Sequence, residues 1–417
     1  MPSKSILFIN EGLGLGGIET YLVRISKKLH EQGNQLKFLF FSNSFDPELL
    51  KELKTYGDVY FFENYVLGPA LFKKKPPLLK LLLPLKSQKL HNDVLENLTH
   101  IVATDYNSVL FAGKITPYNT SIKLLVGIYH INEFDFSTHH NWYFEKIAKK
   151  LMSSLPEQNL IIYNSAVQLH YSALYNKGFE NNKIITLGID VEKVQDYWVG
   201  KQNNRIVSIG RLTNWKRYNH SMIQVIQDFK KKGVFYTYDS YGDGESRQEL
   251  EEMVEKAGLK DQIKYHHSIP YNEFTTVIKD SLMFIGAGTA LIEASACGLP
   301  SLIGIENEIK TVSYGFLHDT TGSSYQEQQL NLSYKDISSF ITDLSLCTTQ
   351  EYDIECKKAK DRAQFFGMEK AIKGFTNYLN NSESFTFHLK YHQLIHVIAS
   401  MLWNKITKPK NHYAKRL

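Results

Sequence analysis

Two periodicities alternate along this chain. Short apolar runs read as buried strands, and between them apolar positions recur every three or four residues, as on one face of a helix. Ile6–Ile9 is the first run, and behind it Ile18, Tyr21, Leu22, Ile25 and Leu29 keep helical spacing. Leu36–Phe41, Val59–Phe62, Ile101–Ala103, Leu124–Tyr129 and Leu160–Tyr163 continue the series of strands. Polar residues interrupt it between Gly188 and Asn204. The alternation then restarts, with strands at Ile206–Ile209, Val234–Tyr238, Ile263–His266, Leu282–Ile285 and Ser301–Ile303, and helices after Lys216, Glu245, Tyr271 and Thr289. Strands alternating with helices predict an α/β chain with parallel, doubly wound sheets. The pattern predicts two such domains, residues 1–195 and 205–365. An amphipathic helix over about 366–380, with Met368, Ile372, Phe375 and Leu379 on one face, follows them.

Length and composition agree with this division. A chain of 417 residues, 43% hydrophobic and 22% charged, suits two globular domains with their own cores. Cys297, Cys347 and Cys356 have neither metal-like nor redox-like spacing, which predicts a reducing compartment and no disulfide framework. His139-His140 and His266-His267 also lack metal-ligand spacing, so no metal or other cofactor is expected. The only apolar run before Glu11 is Ile6–Ile9, and no stretch approaches the roughly 20 apolar residues that span a bilayer. The expectation is a cytoplasmic protein without a signal peptide.

Two segments fall outside the α/β pattern. Phe72–Leu90 contains Lys73-Lys74-Lys75-Pro76-Pro77 and then a leucine-rich stretch, Leu78–Leu85, with lysines on both sides. Residues 381–417 form a basic tail in which Phe387, Tyr391, Leu394, Ile395, Ile398, Met401 and Leu402 share one helix face. Such faces pack on their own protein or sit at an anionic membrane, with leucines among the acyl chains and lysines near headgroups. A peripheral position on the inner face of the cell membrane is the expectation.

The candidate chemistry concentrates between Arg205 and Glu306. Ile206–Ile209 runs into Gly210-Arg211-Leu212 and then Lys216, two cations at a strand's carboxyl end, where open α/β sheets bind ligands. Gly286-Ala287-Gly288-Thr289 leads into a helix whose first amides attract an anion, and Glu293 lies one turn in. Arginine's planar fork and lysine's point charge together clamp a diphosphate. The acid would hold a ribose hydroxyl pair. The set suits a sugar nucleotide. In the first half, Gly12, Gly14 and Gly17 match the dinucleotide fingerprint G-x-G-x-x-G, yet the acid it requires after the second strand is missing from Phe41-Ser42-Asn43, the nearest being Asp46.

The segments Gly210-Arg211-Leu212…Lys216, Gly242-Asp243-Gly244-Glu245, Glu293–Pro300, Gly16-Gly17-Ile18-Glu19 and Gly188-Ile189-Asp190 resemble, in this order, the retaining glycosyltransferases of family 4. The resemblance covers about residues 5–380. It implies the GT-B fold, with two Rossmann-like domains facing a central cleft and a final helix returning to the first. It implies a nucleotide-diphosphate sugar as donor, and a glycan or lipid-linked acceptor in bacterial surface polysaccharide biosynthesis (capsule, O-antigen or lipopolysaccharide). No nucleic acid is expected as partner. Donor contacts fall on Gly16, Gly17, Arg211, Lys216, Gly286, Ala287, Gly288, Thr289 and Glu293, and catalytic roles on His130, Arg211 and Lys216. Thr104, Asp105, Glu133 and Asp135 are acceptor-side candidates. The first glutamate of the family's Glu-x7-Glu motif is absent, because eight positions before Glu293 stands Ile285. An inverting transferase of the same fold and a non-catalytic partner subunit remain as alternatives.

Overall fold

The computed structural model describes residues 3–68, 77–116, 121–136, 142–191, 204–328 and 330–407. It divides into two compact units, Met1–Ile185 with Ile372–Leu417, and Thr186–Ala371.

The first unit is built on six parallel strands: β1 (Ser5–Asn10), β2 (Gln35–Phe40), β3 (Asp58–Phe61), β4 (His100–Ala103), β5 (Lys123–Ile128) and β6 (Leu160–Ile162), in the order β3-β2-β1-β4-β5-β6. Every residue of β1 is buried, as expected where helices cover both faces of a parallel sheet. The helix Met368–Asn381 contributes to this unit. Phe375 stacks on Phe8 with ring centroids 6.1 Å apart, and His100 Nε2 lies 3.0 Å from the Leu379 carbonyl. Burial pushes the His100 imidazole down to about 4, so it is neutral at pH 7.

The second unit holds β7 (Arg205–Ile209), β8 (Thr237–Tyr241), β9 (Ile263–His266), β10 (Met283–Gly286) and β11 (Ser301–Ile303), ordered β11-β10-β7-β8-β9 and all parallel. Both doubly wound sheets follow the pattern read from the sequence. One strand is displaced: Val234–Tyr238 was the expected run, and β8 begins at Thr237. The helix Tyr218–Lys231 explains the shift. It ends on Gly233 at φ +73°, with Gly233 N–H donating to Lys230 O and Val234 N–H to Phe229 O, both at 3.0 Å. That pair of hydrogen bonds is the Schellman closure, and it commits Val234 to the helix end. Val234 and Phe235 are accordingly exposed.

Of the two placements open to the basic-apolar segments, their described parts show packing on the protein. Leu81 and Leu83 are buried in the core of the first unit, with Leu79, Leu82 and Leu85 packed against it. In the tail, the helix Tyr391–Thr407 buries Leu394, Val397, Ile398 and Met401 in that same core, joined by Phe387 and Leu389. Most of each apolar face is thus core, its surface removed from water by packed neighbours, while Tyr391 and Ile395 of the tail stay exposed. Lys408–Leu417 and the Lys73–Lys75 run lie outside the described residues.

Candidate functional site

The second unit gathers its polar groups at the carboxyl ends of β7, β10 and β11. The chain leaves β7 through Gly210, whose N–H donates to Tyr241 O at 2.9 Å. Leu212 N–H then donates to Asp243 O (3.0 Å) and Ser246 N–H to Leu212 O (3.1 Å), so two loops cross backbone against backbone. A Cβ on Gly242 would collide with Gly210 O, and one on Gly244 with Leu212 O. The Gly-Asp-Gly segment is thus a close-approach requirement that holds the β7 loop in place.

The turn Thr213–Lys216, closed by Lys216 N–H to Thr213 O at 3.0 Å, folds the Lys216 side chain back over Gly210. A Cβ on Gly210 would stand 2.7 Å from Nζ. Lys216 is half-buried and its ammonium lies 5.4 Å from the Trp215 ring centroid. Burial pulls it down to about 8, with Glu306 opposing and Arg211 adding to the shift. It therefore remains protonated at neutral pH. Arg211, two residues before this turn, is exposed. Buried Asn219 anchors the turn: its Nδ2 donates to Lys216 O (3.2 Å), and its Oδ1 accepts from Tyr238 Oη (2.7 Å) and Ser240 Oγ (3.2 Å).

Next to β7, β10 runs into Gly288, which caps the helix Thr289–Ala296 at φ +73°. Ala287, Thr289 and Glu293 are all buried. Glu293 lies in the second turn, and its charge adds to the burial that pushes the Cys297 thiol up. Ile285 is 0% exposed and pairs with Leu302 of β11, so a side chain at that position points into core.

Two residues escaped the sequence reading. Glu306, three positions after β11, is only 4% exposed, and its charge acts on Lys216. Gln326 Nε2 donates to Glu306 Oε1 at 2.8 Å, Glu306 N–H donates to Gln326 O at 2.8 Å, and Gln326 Oε1 accepts the Gly288 N–H. Asn307 N–H donates to Trp215 O at 2.7 Å, tying the β11 loop to the lysine turn. Tyr325 Oη completes the frame by donating to Gly288 O at 3.2 Å. Glu306 had a signal, an acid just past a strand's carboxyl end. Gln326 had none, because its place depends on a loop returning from far along the chain.

The remaining candidates are in the first unit. Gly16 and Gly17 open the helix Gly17–Glu31, and the Glu19 carboxylate fills the space that a Cβ on Gly16 would need. Gly12 lies against the backbone, since its Cβ would be 2.8 Å from Ser44 O. Asp46, the nearest acid to the incomplete dinucleotide fingerprint, instead caps the helix Pro47–Leu53, accepting from Glu48 N–H and Leu49 N–H at 3.0 Å. His130 follows β5 half-buried, and its Nδ1 accepts the Asn132 N–H at 3.2 Å, which places the proton of the neutral ring on Nε2. Asp105 caps the helix Tyr106–Ile115 through Ser108 N–H (2.8 Å), and Asp135 pairs with His170 (2.7 Å). Thr104 and Glu133 are buried.

Residues 192–313, which include Arg211, Lys216 and Glu293, match the family model described as glycosyl transferases group 1. No curated protein matches the chain in sequence. Among solved structures, TarM of S. aureus, in complex with fondaparinux, alpha-GlcNAc-glycerol and UDP, is 13% identical. The match covers 91% of this chain and 100% of that one, with a TM-score of 0.62. A glycosyltransferase from Rickettsia africae is 16% identical, over 92% of this chain and 100% of that one, at 0.61. The lipopolysaccharide outer core galactosyltransferase WaaB is 14% identical, over 90% and 99%, at 0.55. These likenesses establish the fold as GT-B, with two Rossmann-like domains.

Proposed function

We propose that this chain is a glycosyltransferase of the family 4 type. It transfers a sugar from a nucleotide-diphosphate sugar to a glycan or lipid-linked acceptor in the assembly of bacterial surface polysaccharide. The observation that carries the reading is the cationic end of β7, protonated Lys216 over Gly210 and exposed Arg211, beside the Gly288-capped helix that follows β10. Its support from outside the chain is the group 1 match over residues 192–313. TarM, solved with UDP, and WaaB, a lipopolysaccharide enzyme, support the donor class and the setting.

In this reading the bond between the sugar's anomeric carbon and the diphosphate breaks, and its electron pair stays on the phosphate oxygen. Arg211 and Lys216 stabilise the charge that develops there, the largest electrostatic task in such a site. Glu293 takes the ribose hydroxyls, and the Gly286–Thr289 loop lies along the diphosphate and donor sugar. The family resemblance also assigns donor contacts to Gly16 and Gly17 and a catalytic role to His130. The acceptor oxygen forms the new bond to the anomeric carbon, and its proton ends on the departing diphosphate, whose oxygen holds the electron pair of the broken bond. No metal is needed where two side-chain cations meet the diphosphate.

Melting curves with UDP, GDP, ADP and CMP test the first step, since a ligand held only by the folded state raises the transition. One nucleotide should do so, and its sugar conjugates should be hydrolysed slowly without acceptor. If none of the four shifts the melting curve, the donor reading fails. Binding without turnover of any conjugate would mark a partner subunit instead. NMR of the product anomer reads the stereochemistry.

A further inference from the structure

Charge is segregated along this chain. From Tyr65 to Leu90, and again from Ser384 to Leu417, there is no Asp or Glu. The two segments carry twelve of the chain's cations while its net charge is only +5, so the rest of the protein is net negative. The fold brings the described parts of both segments together in the first unit. Tyr391 Oη donates to Leu82 O at 2.7 Å, and the leucines of both segments enter one core.

The helix Tyr391–Thr407 has a second apolar face, turned away from that core. At 100° per residue, Tyr391, Ile395, Trp403 and Ile406 fall within a stripe of about 120°, while Leu402 packs against the core. Tyr391 is 56% exposed, Ile395 42%, Trp403 61% and Ile406 72%. Exposed lysines lie at the start of this stripe and on the neighbouring helix. Lys390 precedes it and is exposed, and the helix Tyr143–Ser154, joined to it by the Tyr143–His396 ring contact at 5.3 Å, exposes Lys146 and Lys150.

We propose that this outward stripe docks the protein on a bilayer containing anionic lipids. Trp403 and Ile406 enter the headgroup–acyl boundary while the neighbouring lysines meet the headgroups, the division of labour of an interfacial helix. The charge argument also selects the occupant. A second copy docking symmetrically would set one group of lysines against another, whereas an anionic surface neutralises them. Docking does not draw on Arg211, Lys216 or the Gly288-capped helix, the second-unit groups proposed to hold the diphosphate.

The test uses the full chain, because truncation before Phe387 would remove core residues. Sedimentation with phosphatidylglycerol–phosphatidylcholine vesicles should greatly exceed that with phosphatidylcholine alone, and should fall with added salt. The double variant Trp403→Ser/Ile406→Ser should lower vesicle binding at least about tenfold. Its melting temperature and pyrophosphate affinity should stay at the wild-type values, since both side chains are exposed and remote in sequence from Arg211 and Lys216. Equal binding to neutral vesicles, no binding to either, or a double variant that sediments like the wild type would each overturn the proposal. So would a concentration-dependent dimer that the double variant abolishes, which would identify a second copy as the occupant.

Discussion

Replacing Lys216 by methionine should weaken anion binding and stabilise the empty protein at the same time. Methionine keeps the length of the side chain and removes the charge. In the wild type the ammonium is held at about 8 against an ordinary 10.5. One decade of proton affinity is about 1.4 kcal/mol, so keeping the proton opposes folding by up to ~3 kcal/mol at pH 7. That balance already contains the attraction of Glu306. Lys216 is half-buried, so solvent screening reduces the figure, and a gain of about 1–3 kcal/mol is expected in the variant. For a unit of this size it corresponds to a rise of roughly 3–10 °C in melting temperature. The pH dependence has a definite sign. Between about 8 and 10.5 the unfolded chain keeps a proton that the folded one has released, so wild-type stability climbs over that window. The variant's advantage should therefore be full at pH 7 and gone near pH 10.5. Calorimetric titration with pyrophosphate measures the other half: losing one charge-assisted contact costs about 1.5–3 kcal/mol, a roughly 10- to 150-fold weaker Kd at pH 7. A variant less stable than the wild type at pH 7, or one that binds pyrophosphate within about twofold of it, would refute the reasoning.

Arg211→Ala should weaken pyrophosphate binding with a change in stability below about 1 kcal/mol, because the side chain is exposed; an unfolded or unaffected variant would count against the clamp. Gln326→Ala releases the Gly288 amide from its internal acceptor and should tighten pyrophosphate binding several-fold. Weaker binding in that variant would make Gln326 a ligand of the anion. Ile285→Glu should destabilise the second unit by more than about 3 kcal/mol in thermal unfolding, since it buries an unpaired charge in the core. Increased turnover in that variant would show that the position belongs to the site.

What the sequence determined by itself was whatever depends on near neighbours. Apolar runs and period-3.6 patterns are local, so both doubly wound sheets, and ten of the eleven strands described in them, could be read within a residue or two of their places, while the short antiparallel pair Val312–Ser313 with Lys335–Asp336 was not. The cations after β7 and the glycine loop before Thr289 were legible for the same reason, as each is a strand end followed by its own turn. The β8 error was one of competition, because Val234 and Phe235 have strand-like side chains while the Schellman closure at Gly233 takes the Val234 N–H.

The tertiary structure alone decided which of two partners an apolar face receives. Periodicity shows that Leu394, Ile398 and Met401 share a face, and only packing shows that the face belongs to the core while Trp403 and Ile406 point away. It also decided which acid serves which role: Asp46 and Asp105 were drawn into helix caps, and Glu306 was brought beside Lys216. Gln326 met the Gly288 amide by the return of a loop 38 residues away. Contacts between residues so far apart leave no periodic trace in the chain, because their geometry exists only once the sheet has set the positions of its strand ends.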